Sequence, residues 1–135
     1  KTGAGWYHYP DENKTVDPTV EDIIRREAEA ANIKRRHFSS DETQQRLLLA
    51  MINEAANILH EGIATSAADI DLVLVHGYGF PRWRGGLMHY ADQLGASLIM
   101  AELTKLCDED PIFWQPSRLI VDCAKTRQNF ASYNK

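Results

Sequence analysis

The chain has 135 residues, 44% apolar and 25% charged, with a formal charge of -4. That length suits one compact domain with a real core and is too short for two ordinary ones. Acidic and basic residues are mixed along the chain, so there is no basic field of the kind that tracks nucleic-acid phosphates. No apolar run approaches the roughly 20 residues of a membrane span, and no apolar signal-peptide core opens the sequence.

The first ten residues, Lys1-Thr2-Gly3-Ala4-Gly5-Trp6-Tyr7-His8-Tyr9-Pro10, form an irregular glycine- and aromatic-rich segment. Three aromatics need something to cover, so this stretch reads as the closing segment of a preceding domain. The boundary is expected between 10 and 11, with 11–135 forming the domain proper. Residues 11–16 are a polar linker. Asp17 then reads as an N-cap with Pro18 at the first helical position, where its missing N–H costs nothing. Val20, Ile23, Ile24, Ala28 and Ala31 recur at helical spacing, and Asn32 is a plausible stop. Lys34-Arg35-Arg36-His37 reads as a solvated loop between two helices.

The second helix carries the strongest signals. Ser39-Ser40-Asp41-Glu42 fits a capping box, and Leu48, Met51, Ile52, Ala55, Ile58 and Leu59 make a broad apolar stripe. Gly62 supplies a left-handed end. The device repeats at Ser66-Ala67-Ala68-Asp69, followed by Ile70, Val73 and Leu74, with Asp69 and Asp71 suited to the first-turn dipole. Gly77 and Gly79 end this helix and open the loop Tyr78–Gly86. Leu87–Leu94 reads as a short helix ending at Gly95. Ala96–Leu106 follows, with Leu98, Ile99, Leu103 and Leu106 inward. Asp108–Pro111 breaks the chain, and Pro116 opens a last helix with Leu119, Ile120, Cys123 and Ala124. No strand alternation, internal repeat or low-complexity tract is legible, so the expected fold is all-α with an irregular N-terminal segment.

Chemistry-bearing patterns are sparse. A dinucleotide site needs a strand, Gly-x-Gly-x-x-Gly and a helix. Neither Gly3-Ala4-Gly5 nor Gly77-Tyr78-Gly79 has the third glycine, so no cofactor site is expected in these residues. The five histidines show no zinc spacing, and Cys107 and Cys123 read as free thiols on apolar helical faces. Asn53-Glu54, mid-helix among apolar residues, is the most informative polar pair. A buried glutamate must be paired or neutral, and Arg82 or Arg84 would serve. This pair is therefore expected to brace the long helix to the aromatic loop, a ligand-facing carboxylate being the alternative. The loop residues Tyr78, Phe80, Pro81, Trp83 and Arg84, with Asp92, are expected to be structural or interface residues, since Trp and Arg concentrate at interface centres. The alternative is a bidentate grip on phosphate or carboxylate.

A specific resemblance rests on these residues. Arg46-Leu47-Leu48, Asn53-Glu54-Ala55, Glu61-Gly62-Ile63-Ala64, Asp69-Ile70-Asp71, Gly77-Tyr78-Gly79-Phe80-Pro81, Trp83-Arg84-Gly85-Gly86 and Tyr90-Ala91-Asp92-Gln93-Leu94-Gly95 resemble the C-terminal helical domain of 3-hydroxyacyl-CoA dehydrogenases. Trp83-Arg84-Gly85-Gly86 after Pro81 resembles the second of two such repeats in multifunctional β-oxidation enzymes, and residues 1–9 resemble the close of the first. The resemblance implies a parent enzyme that oxidises 3-hydroxyacyl-CoA with NAD and carries an enoyl-CoA hydratase as well. In such an enzyme the His–Glu pair and the NAD-binding loop lie in a preceding Rossmann domain.

One active-site asparagine of the family comes from the first repeat, just before an Arg-Leu-Leu run; Gln45 stands at the matching position here. The implied role is a non-catalytic support lying against the preceding helical repeat. No catalytic, cofactor or metal residue is then expected, and the isolated chain should self-associate. Cytoplasmic location is implied for a bacterial parent and peroxisomal location otherwise, although Tyr133-Asn134-Lys135 is not a Ser-Lys-Leu signal. A free-standing helical module binding a protein partner or acyl-CoA is the alternative, and an autonomous small enzyme the weakest reading.

Overall fold

The computed structural model describes residues 5–9 and 14–133, and the chain divides into two compact units, residues 1–38 and 39–135. The boundary expected at 10/11 falls among residues outside the described ones. The helix that follows belongs to the N-terminal unit.

In the N-terminal unit two short strands, β1 (Tyr7–His8) and β2 (Thr15–Val16), pair antiparallel with Tyr7 opposite Val16. Neither strand is legible in the sequence, because two residues are too few for alternation to register. Lys14 Nζ lies 3.7 Å from the Tyr7 ring centroid, a cation–π contact across the hairpin. Helix α1 (Pro18–Ala30) begins as expected: the Asp17 carboxylate accepts the Thr19 N–H at 2.8 Å. Asn32 takes a positive φ of 54° just beyond its end, a conformation asparagine tolerates. The expected inward stripe finds no core, for α1 buries no residue.

The second unit is the helical body. Helix α2 (Ser40–Glu61) is its spine, about 33 Å long at 1.5 Å per residue. Ser39 Oγ accepts the Glu42 N–H at 3.1 Å, and Gly62 closes the far end at φ 76°. α3 (Ala67–Gly77) opens with a complete capping box between Ser66 and Asp69. α4 (Leu87–Leu94), α5 (Ala96–Leu106) and α6 (Arg118–Thr126) follow, and a 3-10 turn at Phe130–Ser132 ends the described chain. α2 packs on α4, α5 and α6; α5 packs along α6; and α3 lies on α4 and the last 3-10 turn.

The core centres on Ile52, Leu59, Leu87, Met88, Ile99, Leu103, Ile120 and Phe130, all fully buried. It departs from the sequence pattern by a rotation of α2. Leu49, Ile52, Asn53, Ala55, Ala56 and Leu59 face inward, whereas Leu48 and Ile58 are half-buried and Met51 is exposed. Ala55 and Ala56 let neighbouring helices approach where longer side chains would hold them apart. Val73 on α3 and Leu98 on α5, both expected inside, are also exposed. Cys107 lies at the C-cap of α5 rather than on a helical face, its Sγ–H directed at the Trp114 carbonyl at 3.4 Å.

Candidate functional site

The loop between α3 and α4 is built by glycines and one carboxylate. Phe80 is buried, and its N–H reaches back to the Leu74 carbonyl at 3.0 Å, folding the loop onto the end of α3. Pro81 leads into a 3-10 turn, Arg82–Arg84. Gly86 follows at φ 131°, and a Cβ there would lie 2.3 Å from Asp71 Cγ. The missing side chain lets the Asp71 carboxylate close on the start of α4, accepting the Met88 N–H at 2.6 Å and the His89 N–H at 3.0 Å. Asp71 thus caps the next helix rather than complementing the dipole of its own. Only the tertiary approach reveals this.

On the outer face of the loop, Tyr78 is 80% and Trp83 79% exposed. The Arg84 guanidinium lies 4.6 Å from the Trp83 ring centroid and 4.3 Å from that of Tyr90. Cation–π attraction over two rings holds a flat side chain at the surface with little freedom left to lose on association. Trp83 therefore offers apolar area steadied by Arg84, with the exposed Tyr78 on the same loop.

Asn53 and Glu54 separate completely. Asn53 is buried; its amide donates to the Gln115 carbonyl at 2.9 Å and its oxygen accepts the Ser117 N–H at 2.7 Å. Asn53 therefore braces α2 to the segment before α6, and not to the aromatic loop as expected from sequence. It also explains why α6 begins at Arg118, two residues later than Pro116 indicated: Asn53 holds the backbone on both sides of Pro116 in a non-helical shape. Glu54 is exposed on the rim of a groove, and among the described residues no hydrogen bond or ion pair holds it. The expectation of a buried Glu54 paired with Arg82 or Arg84 is corrected. The same rotation of α2 that buries Asn53 turns the next residue outward.

Asp92 accepts the Phe130 N–H at 2.6 Å and the Ala131 N–H at 3.1 Å, fixing the C-terminal 3-10 turn and seating Phe130 in the core. Arg46 makes a two-pronged bond to Glu109 at 2.9 and 2.6 Å and reaches Glu42 at 3.2 Å. Hydrogen bonding to Glu109 raises its pKa further above the ordinary arginine range. Nothing in the sequence signals this pair, because 63 residues separate its members.

Gln45, at the position singled out by the family resemblance, donates its amide to Glu102 at 3.3 Å. It lines a small cavity of about 250 Å³ with Leu48, Ile52, Arg84, Tyr90 and Ile99. A larger groove of about 750 Å³ lies between α2 and α3. Asp69, at that groove, has its pKa lowered chiefly by the Thr65 hydroxyl, then by Ser66, both bonded to its carboxylate. Burial pushes the Cys123 thiol up. Among the described residues, no three His, Cys, Asp or Glu side chains converge as a metal site, and no helix is long and apolar enough to cross a membrane.

The described residues form a helical body whose polar side chains cap its own turns, with a glycine-cradled aromatic loop between α3 and α4. The model of the 3-hydroxyacyl-CoA dehydrogenase C-terminal domain matches residues 43–128, so the chain belongs to that family. It is 40% identical over 114 residues to the human (Homo sapiens) peroxisomal bifunctional enzyme, covering 82% of this chain and 16% of that protein. It is 33% identical over 127 residues to the peroxisomal fatty acid beta-oxidation multifunctional protein AIM1 of Arabidopsis thaliana, covering 90% and 18% respectively. The fatty acid oxidation complex subunit alpha of Acinetobacter baumannii (strain SDF) is 36% identical over 114 residues, covering 81% and 15%. The chain therefore spans under a fifth of the length of these relatives.

Proposed function

We propose that this chain is the C-terminal part of a multifunctional NAD-dependent 3-hydroxyacyl-CoA dehydrogenase of fatty acid β-oxidation, and that it supports the active cleft without taking part in the reaction. The carrying observation is Gln45. Where the family resemblance places an active-site asparagine, this chain has Gln45, whose amide donates to Glu102 at 3.3 Å. Other polar residues support the same reading: Asn53, Asp71 and Asp92 spend their polar atoms on the backbone of their own domain. NAD binding and proton transfer then belong to the Rossmann domain of the parent, and this chain holds neither cofactor nor substrate.

The contact surface in this reading is the outer face of the aromatic loop, with Tyr78, Trp83 and the stacked Arg84 meeting the preceding helical repeat. A support of this kind acts on rate through geometry, because a displacement of about 1 Å at the reacting atoms can cost about 100-fold. Without the rest of the parent, the same aromatics pair between copies. Light scattering should therefore show concentration-dependent self-association that Trp83→Ala weakens. In this reading the compartment follows the host: the cytoplasm for a bacterial parent, or the peroxisome, the compartment named for the human relative.

The test is steady-state kinetics of the parent enzyme with 3-hydroxyacyl-CoA and NAD. Gln45→Ala should leave kcat within about twofold of the parent's, since a factor of two is only about 0.4 kcal/mol of barrier. Loss of two orders of magnitude would make Gln45 a catalytic residue and end the proposal. The 135-residue chain alone should show no saturable binding of NAD or acyl-CoA.

A further inference from the structure

Among the described residues, two Lys or Arg side chains are half-buried, Arg46 and Arg84. Their surroundings differ in kind. Arg46 is met by two carboxylates, Glu109 at 2.6 Å and Glu42 at 3.2 Å. Arg84 lies over the Trp83 and Tyr90 rings, and no hydrogen bond or ion pair engages it among the described residues. Ring contact takes the flat faces of a guanidinium and leaves the N–H donors along its edge unspent.

The carboxylates near the loop are committed elsewhere. Residues 78–91 contain Arg82 and Arg84 but no Asp or Glu, in a chain whose formal charge is -4. The nearest acids in sequence on either side, Asp71 and Asp92, accept backbone N–H groups of α4 and of the last 3-10 turn. Asp41 and Glu102 line the same small cavity as Arg84, yet neither pairs with it. Glu102 is held instead by Lys105 at 2.6 Å and Gln45 at 3.3 Å. The aromatic loop is therefore a cationic spot on an acidic chain.

Water can hydrate the free edge of Arg84 only while the loop is uncovered. Contact with the preceding repeat removes that water, and stacking does not replace it, because a ring face meets the charge and not the edge N–H groups. A guanidinium buried without a hydrogen-bonding counter-charge costs more than the apolar contact of one tryptophan returns. The covering surface must therefore bring an acceptor of opposite charge, and a carboxylate matches the fork of the guanidinium edge.

We propose that the preceding helical repeat presents an Asp or Glu carboxylate to the edge of Arg84, forming a buried two-pronged pair beside Trp83, with the exposed Arg82 at its rim. This rests on the reading that the aromatic loop meets that repeat, and goes beyond it by naming the chemistry of the surface that does so.

The test uses the full-length parent enzyme carrying Arg84→Lys. A water-soluble carbodiimide joins an amine to a carboxylate in direct contact as an amide, with loss of water. Mass spectrometry of the digest should find position 84 joined to an Asp or Glu from the chain preceding residue 1. Lys105, 2.6 Å from Glu102, supplies the reference link in the same digest. In the parent, Arg84→Glu should raise the rate of Trp83 oxidation by hydroxyl radicals about tenfold or more, since breaking a buried charged pair weakens docking by at least that factor. Lys in place of the linked carboxylate should reverse the rise. Oxidation of Trp83 as fast in the unaltered parent as in the 135-residue chain would show the loop uncovered, and both the contact reading and this proposal would fall. A shielded Trp83 with position 84 linked to nothing, or only to carboxylates within residues 5–133, would overturn this proposal alone.

Discussion

Helices α1 and α2 start alike and end differently. Each opens on a side-chain cap, Asp17 or Ser39, and each carries aliphatic residues at helical spacing. Yet α2 buries six residues and α1 none. The caps are local chemistry, complete within four residues, so they form wherever the helix forms. The stripe is an offer to a partner, and only in α2 do other helices of the same unit accept it. Periodicity in a sequence therefore reports that a face is apolar, and says nothing of what covers it.

Core truncation should separate the two most sharply. Ile52→Ala should cost about 2–5 kcal/mol in urea unfolding, the range for a buried aliphatic, whereas Ile24→Ala on α1 should stay within about 0.5 kcal/mol. If both cost alike, α1 is covered in solution and the contrast fails. Next comes Asn53→Leu, which leaves the Ser117 N–H and Gln115 carbonyl without their partner. A loss of about 1–3 kcal/mol is expected, with faster hydrogen exchange at Ser117.

Smaller effects probe caps. Asp71→Ala removes both acceptors at the start of α4 and should cost about 0.5–2 kcal/mol of global stability. Asp17→Ala should instead lower only the helicity of α1, seen in its Hα chemical shifts, because no core is coupled to it.

The smallest effect is a pH dependence. The folded pKa of Asp69 is lowered by Thr65 and Ser66, so its contribution to stability is full above the unfolded value near 3.9. It is lost as pH falls through the lower folded value, because the unfolded chain binds the proton first. Tm measured from about pH 5 down to 2 should fall less steeply in Asp69→Asn than in the parent chain. An unchanged acid limb would show that the capping box does not hold its charge.

Legible in the residues alone were the all-α class, the caps at Asp17, Ser39 and Ser66, the left-handed stop at Gly62 and the bounds of α4 and α5. Each is decided within a few residues by backbone hydrogen-bond supply or by the absence of a Cβ. Tertiary structure alone decided the inward face of α2, and with it the opposite fates of Asn53 and Glu54. It alone decided the cap that Asp71 gives α4, the seat that Asp92 gives Phe130, the Arg46–Glu109 bond and the late start of α6. Those depend on groups brought together from distant stretches of chain, where the partner's identity is fixed by packing and not by neighbouring sequence. A helical repeat specifies that a face be buried to within about one residue of rotation, and that one residue separates a brace from an exposed charge.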